Sequence, residues 1–252
     1  MNSTAPELSI IIPAYNEEKR LARALVQIRD YFCSKRGGLN GTEILVVDDG
    51  STDGTVKIAE QWMREIPCLK VLSNGANRGK GYSVRHGMLE ARGGIALFTD
   101  ADLSAPIAES EKLFASLAAG NDIAIGSRAV DRSLIVARQS RFRELAGIIF
   151  NGLVRLLTGL PFQDTQCGFK AFARERCRIV FEQQRIERFG FDPEILFLAQ
   201  RHGLRIAEVP VRWAHDPATK VHVLRDSFSM FADLLYICAN ALLGRYPRAQ
   251  KR

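Results

Sequence analysis

The chain has 252 residues, enough for one large globular domain with a full core. Its 46% hydrophobic and 25% charged residues exclude a disordered, collagenous or disulfide-scaffold class. A formal net charge of +7 fits an anionic partner: nucleic acid, an anionic lipid surface or a phosphorylated substrate. Five cysteines (Cys33, Cys68, Cys167, Cys177, Cys238) lie scattered without Cys-x-x-Cys spacing, the usage of a reducing compartment and not of a metal cluster or disulfide framework. The first residues lack the basic and apolar regions of a signal peptide. No apolar run approaches the roughly eighteen residues of a spanning helix, so neither feature is expected.

The β-branched run 8–13 reads as a first strand. Asn16-Glu17-Glu18 then opens a helix over 19–33, its acids suited to the positive helix end, and Gly37-Gly38 breaks it. Residues 43–48 form a second strand, 49–55 a polar turn, and a helix runs to about 65. Strands at 68–72 and 95–99 flank a helix at 78–91. This alternation predicts a parallel sheet with right-handed crossovers. Downstream come a helix at 106–119, a strand at 122–126, a loop at 131–139 and a basic-studded apolar helix at 141–158, closed by Gly159. An extended segment at 164–172 precedes helices at 174–183 and 192–202, the latter capped by Asp192. A strand at 205–213, a loop at 214–221 and a last helix at 225–243 complete the pattern. With no linker composition anywhere, residues 1–245 are expected to be a single domain, and 246–252 a disordered basic tail.

The strand Ile95–Thr99 ends in Asp100-Ala101-Asp102. In extended backbone, residues i and i+2 share a side, so both carboxylates can face one ion. Hard oxygen donors suit Mg²⁺ or Mn²⁺ shared with substrate phosphates, and strand tips are where open α/β sheets bind ligands. A solvated acidic turn is the plainer alternative. Two more polar clusters follow the first two strands, Pro13-Ala14-Tyr15-Asn16-Glu17 and Asp48-Asp49-Gly50-Ser51. Tyr15 can pack on a base, and Glu17 and Asp49 can accept from base N–H groups or ribose hydroxyls; taken singly, these segments would serve as caps and turns. No Gly-x-Gly-x-x-Gly follows the first strand, which excludes a dinucleotide oxidoreductase. Arg128, Arg138, Arg141 and Arg143 crowd a strand end and the following helix start, an arrangement for binding phosphate, unless they form a solvated basic face. Arginines placed so, without interleaved aromatics, disfavour nucleic acid. His86, His202, His215 and His222 form no ligand spacing.

In order along the chain, Ile11-Ile12-Pro13-Ala14-Tyr15-Asn16-Glu17, Val46-Val47-Asp48-Asp49-Gly50-Ser51-Thr52-Asp53-Gly54-Thr55, Asn77-Arg78-Gly79-Lys80-Gly81 and Thr99-Asp100-Ala101-Asp102 resemble family-2 inverting glycosyltransferases with the GT-A fold. In the second half, Gly126-Ser127-Arg128, Asp164-Thr165-Gln166-Cys167-Gly168-Phe169-Lys170, Phe191-Asp192-Pro193-Glu194 and Glu208-Val209-Pro210-Val211-Arg212-Trp213 resemble dolichyl-phosphate β-glucosyltransferases. Mannose synthases of the same kind share the first half but match the 164–170 motif less well. The likeness spans about residues 8 to 245.

The resemblance implies an α/β, GT-A fold with a mostly parallel sheet flanked by helices. It implies metal-dependent, inverting transfer of glucose from UDP-glucose to a polyprenyl phosphate, with Mg²⁺ or Mn²⁺ held by Asp100 and Asp102. By the same likeness Pro13, Tyr15, Glu17, Val47, Asp49, Lys80 and Ala101 join the acid pair around the nucleotide-sugar donor. Arg128, Arg143 and Lys220 would take the acceptor phosphate, and Arg143, Gly147 and Asn151, at i, i+4 and i+8, match an acceptor-side helix. Ser104 departs from the glutamine that mannose synthases often carry there. A phosphate monoester has a second pKa of about 6, so the acceptor needs no strong base. Asp164 leads the carboxylates that could serve as one, before Asp192 and Glu194. Asp164 could instead orient Lys170 or an arginine, and Asp192 could cap its helix. Rival readings are mannose transfer from GDP-mannose, another acceptor, or an inactive sugar-nucleotide-binding protein, against which the intact acid pair argues. Oligomeric state is not encoded. A lipid acceptor implies a peripheral protein at the cytoplasmic face of a membrane. Apolar stripes beside arginines in the helices at 141–158 and 225–243 have the pattern of interfacial helices, although such stripes more often face a core.

Overall fold

The computed structural model describes residues 5–216 and 223–247. Seven strands form one sheet: β1 (Leu8–Ala14), β2 (Thr42–Asp48), β3 (Leu69–Ser73), β4 (Ile95–Thr99), β5 (Ile123–Ser127), β7 (Phe169–Ala173) and β8 (Ile206–Pro210). Their order is β3-β2-β1-β4-β7-β5-β8, parallel throughout except for β7, which runs antiparallel between β4 and β5. β1 and β2 are buried on both faces, which is why they read as unbroken apolar runs without alternation.

Successive strand residues feed opposite layers. Ile10, Ile12, Ile44 and Val46 pack toward α1 (Leu21–Arg36), α2 (Thr55–Glu65) and α4 (Ser110–Ala118). Ile11, Leu45, Val47 and Phe98 pack toward α3 (Lys80–Glu90), α6 (Arg174–Gln183) and α7 (Phe191–Arg201), with α5 (Arg141–Thr158) and α8 (Val223–Leu242) on the same side. The mostly parallel α/β sandwich expected from the sequence is therefore present.

Three local expectations need correction. The 131–139 segment is not simply a loop: Arg132–Leu134 makes a 3-10 turn and Ile135–Ala137 (β6) pairs with Trp213–Ala214 (β9), a short strand split from β8. Asn16, Glu17 and Glu18 do not open α1, which starts at Leu21. They lock onto the 51–55 turn instead: Asn16 Oδ1 accepts from the Thr52 N–H at 2.8 Å, and Glu18 from the Gly54 N–H at 2.9 Å. The expected C-terminal tail is anchored at its first residue, and 248–252 lie outside the described residues. Tyr246 is fully buried, its hydroxyl 2.5 Å from Glu194 and its carbonyl accepting from Arg201 at 2.8 Å.

Candidate active site

The chain turns sharply after β4. Leu103 adopts φ 46°, a left-handed conformation that costs a leucine about 1–2 kcal/mol, and the Asp102 carboxylate accepts from the Ser104 N–H at 2.9 Å. The turn sets Asp100 and Asp102 side by side at the sheet edge. Asp100 lies against the Cα of Gly168, just before β7; a methyl group there would overlap its carboxylate, so this motif position needs glycine. Burial, and then the charge of Asp100, push the Asp102 carboxyl above its ordinary range, although Ser104 and Lys80 pull the other way.

Lys80 supplies the compensating cation. Its Nζ lies 2.6 Å from Asp100 Oδ1. Burial opposes its charge, but Asp100, Asp192 and Asp102 together override that and hold the ammonium above its usual pKa. Lys80 opens α3 between Gly79 and Gly81. A side chain at Gly81 would meet the Ile186 carbonyl at 2.7 Å, so the bare backbone lets the helix start press onto the 184–190 segment.

Across the cavity stands Arg128, just past β5. Asp164 grips it in a fork, Nε to Oδ2 at 2.6 Å and Nη2 to Oδ1 at 2.8 Å, while the Trp213 ring lies 5.3 Å from the guanidinium carbon. Glu208 on β8 holds Asp164 in turn, accepting from its backbone N–H at 2.7 Å and from Ser127 Oγ at 2.7 Å. Asn151 on α5 braces the same loop through the carbonyls of Phe162 and Gln163 and through Thr165. Burial works against the Asp164 charge, but Arg128 prevails and holds its carboxyl below the usual range. Beneath the site, Lys170 on β7 is fully buried and donates to Asp192 Oδ1 and to the Cys167 carbonyl, each at 2.6 Å. Burial pushes the Cys167 thiol up to about 12, leaving it protonated near neutral pH.

Between these two sides lies a cavity of about 260 Å³. Of the residues proposed from the sequence, Asp100, Asp102, Lys80, Arg128, Arg143 and Asp192 line it, and Gly147 joins them from α5. Several others are placed differently. Val47 and Ala101 are buried in the two core layers, so their side chains belong to the packing. Asp49 is buried, its oxygens accepting from Asn74 and from the N–H groups of Arg78 and Gly79; it builds the loop that leads to Lys80. Glu17 pairs with Arg20 at 2.6 Å, Pro13 is half-buried, and Tyr15 is exposed. Lys220 lies outside the described residues.

The three carboxylates considered as a base also separate. Asp164 has both oxygens on Arg128, the orienting alternative. Asp192 sits within α7 behind Gly190 and pairs with Lys170; it does not cap the helix. Glu194 is buried and accepts from the N–H groups of Arg185 and Ile186 and from Tyr246, away from the cavity. Sequence reasoning missed Gln139, Gln166, Phe189, Trp213, His215, Asp216 and Met230 as lining residues. Gln166 and Trp213 stood inside recognised motifs. His215 and Asp216 reach the site because the Ala214 N–H is tied to the Ser104 carbonyl at 2.8 Å.

A mostly parallel sheet with an acid pair at one strand tip, a lysine beside it and an arginine clamp opposite defines a GT-A-type glycosyltransferase. The chain belongs to glycosyl transferase family 2, whose model matches residues 9–178. It is 38% identical to a dolichyl-phosphate beta-glucosyltransferase of Drosophila melanogaster, over 97% of this chain and 78% of that protein. A human protein of the same name is 36% identical over 100% of this chain and 81% of its own length. The backbone is similar to that of glucosyl-3-phosphoglycerate synthase from Mycobacterium tuberculosis, solved with Mn²⁺, UDP-glucose and glycerol 3-phosphate. The TM-score is 0.64 at 21% identity, covering 93% of this chain and 80% of that one.

Proposed function

We propose that this enzyme transfers glucose from UDP-glucose to a polyprenyl phosphate with inversion at the anomeric carbon. The observation that carries this reading is the lining of one cavity by two sets of charges, Lys80 with a cation-holding acid pair and Arg128 with Arg143. Such a cavity suits two phosphorylated substrates meeting head to head, and the names of the relatives supply the sugar and the lipid.

Asp100 and Asp102 fit a divalent cation, Mg²⁺ or Mn²⁺. Two crowded, half-exposed carboxylates repel each other, and a hard cation would relieve the repulsion that Lys80 offsets. When bound, the ion neutralises charge developing on the departing diphosphate. Lys80, 2.6 Å from Asp100, is placed to pair with the diphosphate beside the acid pair. Tyr15 and Glu17, at the end of β1, border the nucleoside end. On the other side Arg128 and Arg143 hold the acceptor phosphate and aim one of its oxygens at the anomeric carbon. Lys220 is a third candidate for that phosphate. The nucleophile is already an anion, and we assign Asp164 to positioning Arg128, with no proton to remove. The reaction takes place at a membrane surface, on the cytoplasmic side, where the free cysteines among the described residues suit a reducing compartment. Attachment through the protein surface is part of this reading; no helix among the described residues is long and apolar enough to cross a membrane.

The test is transfer from labelled UDP-glucose and GDP-mannose to a polyprenyl phosphate, with and without Mn²⁺. Organic-phase label from UDP-glucose that vanishes with chelator is expected. Preference for GDP-mannose, or full turnover in chelator, would overturn the donor or the metal assignment.

A further inference from the structure

Helices α5 and α8 carry most of the large apolar side chains that stand exposed among the described residues. Leu145, Ile149 and Leu156 on α5 fall at i, i+4 and i+11, and Phe228, Leu235 and Leu242 on α8 at i, i+7 and i+14, so each set makes one stripe. These side chains are well out in solvent: Leu156 is 78% exposed and Leu242 88%. The opposite faces, with Phe150 and Val154 on α5 and Leu234 and Ile237 on α8, fill the core. The stripes are thus surplus to folding.

The two helices lie side by side and run in the same direction. Met230, early in α8, lines the cavity with Ala146 and Phe150 of α5, and farther along the Cys238 thiol meets the Leu157 carbonyl at 3.4 Å. The stripes therefore form one apolar strip, and the cavity, with Arg128 and Arg143, lies at its N-terminal end.

Charge defines what the strip fits. Arg141 and Arg155 stand exposed beside it on α5, and Arg245 just past α8. The acids of these helices whose side chains are described turn elsewhere: Glu144 pairs with Arg132 at 3.0 Å, and Asp233 lies on the Gly190 backbone. An apolar strip with a basic rim and, among the described side chains, no acid turned into it complements an anionic bilayer, which takes the apolar groups below its headgroups and the arginines among them. A two-fold pairing with a second copy would set this basic rim against itself.

We propose that the α5–α8 strip is a bilayer-docking surface, on which the enzyme lies with its cavity opening at the headgroup level. A phosphate at Arg128 and Arg143 then sits at headgroup depth while its hydrocarbon tail runs along the strip into the lipid. This purpose rests on the acceptor being a prenyl phosphate.

The experiment compares the wild-type chain with two double variants, Leu156→Glu with Leu242→Glu and Leu145→Glu with Leu235→Glu. All four positions lie outside the cavity wall. Co-sedimentation uses phosphatidylcholine vesicles with and without about one-third phosphatidylglycerol, and thermal unfolding confirms that each variant folds. Wild-type protein should bind the anionic vesicles, each double variant at least about tenfold more weakly, and Arg155→Gln with Arg245→Gln should bind with a blunted salt dependence. Transfer to water-soluble citronellyl phosphate should stay unchanged in Leu156→Glu with Leu242→Glu, at the end of the strip far from the cavity, while transfer to long-chain polyprenyl phosphate in vesicles falls with binding. No wild-type binding to anionic vesicles at low salt would overturn the proposal, as would Leu→Glu variants that bind like wild type. So would a micromolar wild-type dimer, seen by sedimentation, that the Leu→Glu changes split. Vesicle binding without transfer to citronellyl phosphate would leave the docking surface standing and count against the substrate reading.

Discussion

The two sides of the cavity are held together in opposite ways. On the side proposed for the donor, Asp100 and Asp102 are crowded, partly desolvated and balanced chiefly by the single lysine at 2.6 Å, in a turn that strains Leu103. On the side proposed for the acceptor, Arg128 is fixed by a fork from Asp164, a facing tryptophan ring and a second layer through Glu208 and Asn151. The donor side is charge waiting for a ligand, whereas the acceptor side is preorganised and bound into the fold. Substitutions on the first should therefore cost activity, and on the second both activity and stability.

The largest effect on turnover is expected from Asp102→Ala, a loss of about 10³-fold, with little change in the unfolding temperature because this half-exposed strand tip contributes little core. Turnover and thermal unfolding are measured together, and a large fall in melting temperature would show the two sides to be alike. Gly168→Ala should come next. Its methyl group displaces the Asp100 carboxylate, so turnover should fall about 10²-fold and Mn²⁺ affinity, read by paramagnetic resonance, should weaken.

On the other side, Asp164→Asn should destabilise the fold by about 2 kcal/mol at neutral pH, because it takes the buried partner charge from a half-buried Arg128. Arg128 lowers the Asp164 pKa, so the ionised pair stabilises the native state above about pH 4, and this is lost as pH falls through the depressed folded value. Chemical denaturation across pH should show the gap between variant and wild type narrowing below about pH 4; a gap independent of pH would remove the charge pair from the explanation. Arg143→Ala should have the smallest effect, a KM for prenyl phosphate raised about tenfold with that for UDP-glucose nearly unchanged. Steady-state kinetics with each substrate varied decides this, and a change confined to the nucleotide sugar would move Arg143 to the donor side.

The same contrast explains what the sequence discloses. The donor side is built from neighbours in the chain: an apolar strand, then Asp100 and Asp102 two residues apart, and a glycine-flanked lysine opening a helix. Local pattern is enough to expect them. The acceptor side is assembled from distant segments. Asp164 meets Arg128 across 36 residues and Glu208 across 44, through β7 inserting antiparallel between β4 and β5. Periodicity gives no pairing of strands, so Asp164 reads from sequence as a candidate base although it clamps an arginine. Asp49 and Glu194 show a related limit: a carboxylate looks the same in sequence whether it faces a ligand or backbone N–H groups. The last strand shows the reverse. Its motif is recognisable at 208–213, yet the break that carries Trp213, His215 and Asp216 to the cavity depends on the link between Ala214 and Ser104.

The most direct measurement supplies UDP-glucose with citronellyl phosphate or with citronellol and reads the product by proton and phosphorus NMR. Direct attack by a phosphate held at Arg128 and Arg143 requires β-linked citronellyl phosphoglucose from the first acceptor and none from the second. An α-linked product, or glucose transferred equally well to the alcohol, would contradict it.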